Sequence, residues 1–308
     1  MKTICWIGFL MGLYACVPSP VKKYKIAYNV FLNQEADDYE IFVMNTDGSE
    51  KKNITNRAGL DWVYYAFGDK LFFVSDRDTT HRVYFLYEMN ANGENVRKIY
   101  NVRLSDSWVG SRKNGTELLV KPHPTEDSAF HIINLNGRLL KRLDVGLPYF
   151  NDPCFSPDGK QIVFRGGLKV SKREEGFIDE LYIINDDGTG LRQLTHYPKN
   201  DTTAEWYAYK AGPPCWKPDG MITYSSKQAG NYNIFSIEAN GEHLRKLTPD
   251  SLNEVYHSWL PDGSAMTYEG ADLNDENYEI YIQYSSGKIL QLTADTLQQL
   301  APVFVEVN

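Results

Sequence analysis

His123, His196 and His257 are the side chains in this sequence best suited to hold a metal ion. Trp206, Tyr207 and Tyr209 are the best suited to grip a ligand. A neutral imidazole ligates a metal through either ring nitrogen. A metal site legible in sequence usually brings ligands close together, as His-Glu-x-x-His does, and no such spacing occurs here. The three histidines are far apart, so a metal centre needs a fold that gathers them; the alternative is that each is a surface or capping histidine. The aromatic trio can stack on sugar rings or hold a peptide. Glu205 lies beside it, and Arg173 lies in the charged stretch 166–176. The trio's alternative role is to cover a neighbouring element. Nucleophilic catalysis lacks a Gly-x-Ser-x-Gly elbow, and Gly188-Thr189-Gly190 is a turn rather than a phosphate cradle ahead of a helix. The segment from Asp272 to Asn277 lacks the glycine and the spaced glutamate of a calcium loop. A net charge of −8 with no basic, aromatic-studded patch argues against nucleic acid as a partner. No cofactor is expected.

The elements that must position these residues repeat. Asp47-Gly48, Asn92-Gly93, Asn136-Gly137, Asp187-Gly188, Asn240-Gly241 and Ser286-Gly287 recur every ~44–53 residues, the period of a repeat architecture. Asn-Gly or Asp-Gly is a strong hairpin signal, and a two-residue turn of this kind takes positive φ at both positions. Each such turn follows a strand rich in aromatic and β-branched residues, such as Leu181 to Ile184, and precedes a short strand, such as Leu191 to Thr195. An earlier turn opens the unit at Pro157-Asp158-Gly159, Pro218-Asp219-Gly220 and Pro261-Asp262-Gly263, after Phe155, Trp216 and Trp259. It is worn at Gly68-Asp69-Lys70 and Lys113-Asn114-Gly115. The unit is a four-stranded antiparallel meander. The first copy begins at its second strand, Lys25 to Asn29, and the chain ends on an unmatched first strand, Pro302 to Val305. The expectation is an all-β fold, a six-bladed β-propeller of four-stranded antiparallel blades, closed by pairing the C-terminal strand with the N-terminal blade. Residues 24–308 form that domain; a β-sandwich is the competing all-β reading. Both tight turns of a blade fall on one face. The longer loops, including the connection from His196 to Pro214, fall on the other, where a ligand is expected. The three histidines and the aromatic trio are expected there, with His257 at the start of an inner strand.

Phe155-Ser156-Pro157-Asp158-Gly159-Lys160, then Leu181-Tyr182-Ile183-Ile184-Asn185-Asp186-Asp187-Gly188, then Leu191-Arg192-Gln193-Leu194-Thr195 resembles the TolB-type propeller repeat. The resemblance covers nearly all of 24–308 and is best from Cys154 to Thr293. TolB itself carries an N-terminal α/β domain; here the repeats follow a short tether, so a TolB-like propeller is expected rather than TolB. The resemblance implies fold, and the family spans envelope binding proteins, oligogalacturonate-lyase-like enzymes and propellers attached to peptidases. Lyases of this fold hold a metal with a histidine cluster, which would give His123, His196 and His257 a role. The expected function is non-catalytic binding of an envelope protein or a cell-wall glycan by a monomer. The alternative is a metal-dependent carbohydrate-active enzyme.

The start of the chain reads as an export signal. Lys2 precedes the apolar run from Ile4 to Tyr14, which is too short to span a bilayer. Leu13-Tyr14-Ala15-Cys16 resembles a bacterial lipoprotein cleavage box, so residues 1–15 are expected to leave and Cys16 to carry lipid. Residues 16–23 form a tether, and the outer membrane is the expected anchor site. Cys154 and Cys215 each precede an aromatic in equivalent strands. A pair of buried free thiols and a disulfide both remain open.

Overall fold

The second strand of several repeats is apolar at consecutive positions, as in Leu71-Phe72-Phe73-Val74 and Leu118-Leu119-Val120, and so must be covered on both faces. The computed structural model describes residues 22–170, 179–197, 210–228, 230–273 and 277–307, and among them are 24 strands and no helix. Blade 1 holds β1 (Lys23–Asn33), β2 (Asp38–Asn45) and β3 (Lys52–Asn53). Blade 2 is β4 (Asp61–Phe67), β5 (Lys70–Ser75), β6 (Tyr84–Asn90) and β7 (Arg97–Leu104). Blade 3 is β8 (Gly110–Arg112), β9 (Glu117–Val120), β10 (Phe130–Asn134) and β11 (Leu139–Leu143). Blade 4 is β12 (Tyr149–Phe155), β13 (Gln161–Gly167), β14 (Glu180–Asn185) and β15 (Arg192–Gln193). Blade 5 is β16 (Cys215–Trp216), β17 (Ile222–Gln228), β18 (Asn231–Ile237) and β19 (Arg245–Lys246). Blade 6 is β20 (Asn253–Trp259), β21 (Ala265–Ala271), β22 (Glu279–Tyr284) and β23 (Ile289–Gln291). The last strand, β24 (Gln299–Val307), returns to blade 1 and gives it the order β24-β1-β2-β3. Every blade is thus a four-stranded antiparallel sheet, and the ring closes as the repeat pattern requires.

Alternation within each strand builds the seams. Leu71 and Phe73 turn toward blade 1, where they meet Ile41 and Val43. Phe72 and Val74 turn the other way and meet Leu118 and Val120 of blade 3. The same division repeats around the ring, so each of the six seams holds its own apolar cluster. Each such side chain contributes about 1.5–3 kcal/mol on full burial. The seams, not the individual blades, therefore carry the stability.

Two local expectations change. In the hairpin at Asp47-Gly48 the glycine takes positive φ, at 84°, as does Glu50 two residues on, at 54°, while Asp47 does not. The Gly48 N–H donates to the Asn45 carbonyl (2.9 Å), and the Asp47 carboxylate accepts the Ser49 N–H (3.0 Å). The same side-chain cap forms at Asn92, Asp187 and Asn240. The Asn or Asp thus works as an acceptor in an ordinary conformation, and the left-handed residue is the glycine. The outer strands are also shorter than expected: β15 stops at Gln193, and Thr195 lies beyond it. Its hydroxyl oxygen accepts the Leu181 N–H (2.8 Å) and its proton goes to Glu180 (2.5 Å). Thr55, Thr248 and Thr293 accept the N–H of Ile41, Ile234 and Ile280 in the same way. A side chain takes over where the ladder ends, which keeps the blade edge short.

Candidate functional site

Inner strands with a β-bulge aim side chains into the channel that flat strands would not reach. The register of β4 on β5 slips between Val63 and Tyr65, that of β12 on β13 between Asn151 and Cys154, and that of β20 on β21 between Glu254 and His257. These slips bracket Tyr64, Asp152 and Tyr256. Trp108 lies just ahead of β8, and Pro213 just ahead of β16. The five residues come from five blades and line one cavity at the long-loop end of the channel, of about 210 Å³. Tyr64, Trp108, Pro213 and Tyr256 also line a second cavity of about 530 Å³ on the tight-turn side. The rings therefore form a waist between two chambers.

The waist belongs to a continuous run of aromatics. Phe31 stacks on Tyr39 at 4.2 Å, Tyr39 meets Trp62 at 5.1 Å, and Trp62 meets Tyr64 at 6.0 Å. Tyr64 meets Trp108 at 4.7 Å, and Trp108 meets Tyr256 at 4.5 Å. Charged groups fill the gaps. Arg82 is gripped at both ends by Asp37, with contacts of 2.5 and 2.6 Å. Arg165, buried, pairs with Asp152 at 2.8 Å and Asp179 at 3.1 Å. Asp152 holds a positive φ of 54° and accepts the Trp108 N–H (3.2 Å), so one strained residue fixes both the ion pair and the indole. Asp106 accepts the Tyr64 hydroxyl. Its own loop is clamped to blade 4 by Asn151 Nδ2 to the Asp106 carbonyl (2.9 Å) and by the Asp152 N–H to Ser107 (3.0 Å). Asp106 keeps an exposed side chain in the cavity, and the protein crowded around it pushes its carboxyl up to about 6; the Asp152 carboxylate adds to this and Arg165 opposes it.

The three histidines are not gathered. His123 sits half-buried on the long-loop side, its Nδ1 bonded to Thr125 (2.7 Å), with burial lowering its pKa. His196 is exposed after β15, against Gln193 (3.1 Å). His257 is not at the start of its strand but deep within β20, lining the tight-turn chamber. Thr223 gives its hydroxyl proton to the Cys215 carbonyl (3.2 Å) and receives Trp259 Nε1–H (3.0 Å). His257 Nε2 lies 2.8 Å from the same oxygen, and burial pushes its pKa down to about 4, a bond to the Val255 backbone opposing. Its place in the tight-turn chamber, apart from His123 and His196, removes it from the expected cluster. Among the described residues the group of metal-capable side chains in mutual reach is Glu238, Glu242 and His243, at the hairpin between β18 and β19, and it includes none of these three histidines. Arg173, Glu205, Trp206, Tyr207, Tyr209 and Cys16 lie outside the described residues. Cys154 and Cys215 are half-buried free thiols on the inner strands of blades 4 and 5, and each donates to the next residue's carbonyl, Phe155 and Trp216 (3.7 Å). The neighbouring Cys154 thiol and burial push the Cys215 thiol up.

No family model matches the chain. In sequence it is 24% identical over 170 residues to the Tol-Pal system protein TolB of Anaeromyxobacter dehalogenans, covering 53% of this chain and 37% of that protein. The chain spans about half or less of the length of the curated relatives it matches. In structure it is similar to TolB of Acinetobacter baumannii, with a TM-score of 0.68 at 18% identity, over 91% of this chain and 66% of that one. It is also similar to a TolB candidate from Agrobacterium tumefaciens, with a TM-score of 0.61 at 14% identity over 91% of both chains. Blade count, strand order and these likenesses agree: the chain folds as a TolB-like six-bladed β-propeller.

Proposed function

We propose that this is an exported, lipid-anchored propeller that binds an envelope protein or a cell-wall glycan on its long-loop face, without catalysis. The observation that carries the reading is the aromatic cavity at that face, walled by Trp62, Tyr64, Trp108 and Tyr256 on rigid inner strands and their bulges. Large rings held by a scaffold contribute contact area at little entropic cost, which is what a binding hot spot requires. A protein partner is favoured over a glycan by the likeness to TolB, a protein of the Tol-Pal system. Lipid on Cys16, with residues 16–23 as a tether, would hold the domain close to the outer membrane. Co-purification from membranes tests the reading. The wild-type chain is expected to retain a stoichiometric partner or bind cell-wall fragments, and a Trp62→Ala/Trp108→Ala double variant that still melts cooperatively is expected to lose it. Equal retention by both would move the site away from this cavity. Cys16→Ala is expected to release the protein from the membrane fraction.

A further inference from the structure

The ion pairs around the long-loop cavity do not balance. Arg82 is answered by Asp37, and Arg165 by both Asp152 and Asp179. Asp106 also lines the cavity, and no cation lies within ion-pair distance of it among the described residues. Its partner is the Tyr64 hydroxyl, and its loop is held by Asn151 and Asp152. Among the described residues Asp106 is therefore the lining carboxylate with no cation beside it.

The rings around it are not a flat stack. Successive pairs are tilted by 60°, 40°, 54° and 54° from Tyr39 through Trp62, Tyr64 and Trp108 to Tyr256. A wall of tilted rings curves around a volume. Aromatic faces carry the negative end of the ring quadrupole. They attract a cation within about 6 Å of the centroid, tryptophan most strongly. A metal ion or a bare ammonium would lose more hydration on entering than rings return. A quaternary ammonium has no N–H to leave unpaired and sheds little water. A neutral sugar would leave the Asp106 charge unanswered.

From these features we infer that the long-loop cavity binds a small quaternary ammonium ion of the size of choline, with Trp62, Tyr64, Trp108 and Tyr256 as the cage and Asp106 as counter-ion. The volume of about 210 Å³ accommodates such a group. The inference rests on the reading of this face as the binding face and names the chemistry it selects. Asp106 titrates at about 6, with Asp152 and Arg165 as its charged neighbours and Arg82 already paired, so binding weakens as pH falls through about 6.

Calorimetric titration of the full chain tests it, using choline, its neutral isostere 3,3-dimethylbutan-1-ol, and phosphatidylcholine vesicles. Choline is expected to bind saturably, with the isostere weaker by roughly ten-fold, the equivalent of one cation–π and charge contribution. Asp106→Asn, which keeps shape and the Tyr64 hydrogen bond, is expected to weaken choline about ten-fold with an unchanged melting temperature. Trp108→Leu should weaken it further. Free choline alone assigns a dissolved solute; vesicle binding in addition assigns a lipid headgroup as the source. Equal binding of the isostere, or wild-type affinity in Asp106→Asn, overturns the proposal. If folded wild-type protein ignores choline while the Trp62/Trp108 variant loses its partner, the cation chemistry falls and the binding face stands. If neither ligand nor partner depends on the rings, both fall.

Discussion

At the scale of single residues, buried acids set how this protein responds to pH. Glu269 on β21 is 2% exposed, and its carboxylate accepts the Ala301 N–H at the bulge of β24 (2.5 Å). Burial pushes its pKa up to about 8, the Ala301 bond opposing, and no neighbouring charge contributes. Burial likewise raises Glu254 to about 7, against bonds from Thr248 and Asn233. A carboxyl whose folded pKa lies above its unfolded value favours folding only while protonated. That contribution is full below about 4.5 and disappears as pH rises through 7 to 8. Melting temperature is therefore expected to fall between pH 5 and 8.5. Glu269→Gln should flatten the fall and be the more stable form at pH 8.5, by on the order of a few kcal/mol. Parallel curves for the two proteins would show that Glu269 is not the group responsible. Its position was not readable from sequence: Tyr268-Glu269-Gly270 looks like an ordinary strand end, and only the closing strand buries it.

At the scale of the element, the threonine ties explain why outer strands of two or three residues hold. Thr195→Val removes the acceptor for the Leu181 N–H and the donor to Glu180 without changing shape. A buried group left unpaired costs about 1–3 kcal/mol, so the variant is expected to unfold that much more easily in urea. Hydrogen exchange at Leu181 should speed up most. A loss confined to global stability with unchanged exchange there would mean the tie is dispensable. The strand ladder was legible in the sequence from its turns and alternation. The ends were not, because a hydroxyl can replace a backbone partner while the residue pattern stays the same.

At the scale of the whole molecule, the ring stands or falls with β24. Val303, Phe304 and Val305 are buried in the seams on both sides of blade 1. Their loss alone removes about 5 kcal/mol or more at 1.5–3 kcal/mol each, against a typical total of 5–15 kcal/mol. Deleting residues 302–308 is therefore expected to leave no cooperative melting transition by circular dichroism. A truncated chain that melts near wild type would mean the ring holds without its closing strand. The same closure explains why the aromatic cavity can be rigid. Its walls come from inner strands that cannot splay apart once the ends are joined.

The sequence by itself determined the blade number, the meander in each blade and the closure by an unmatched terminal strand. Those follow from turn residues and two-residue alternation, which act over a few neighbours and repeat visibly. The tertiary structure decided where chemistry can happen. Tyr39, Trp62, Tyr64, Asp106, Trp108 and Tyr256 are spread over more than half the chain, and bulges turn several of them into one channel. An aromatic shortly before the first turn recurs at Tyr64, Trp108 and Tyr256, a faint signal that the stronger histidine and Trp206 patterns obscured. A bulge shifts register by one residue and leaves no mark on composition, so which face a ring meets is settled only when the strands pair. His257 shows the converse: its type suggested metal chemistry, and the strand pairing buried it within β20 in the tight-turn chamber, apart from His123 and His196.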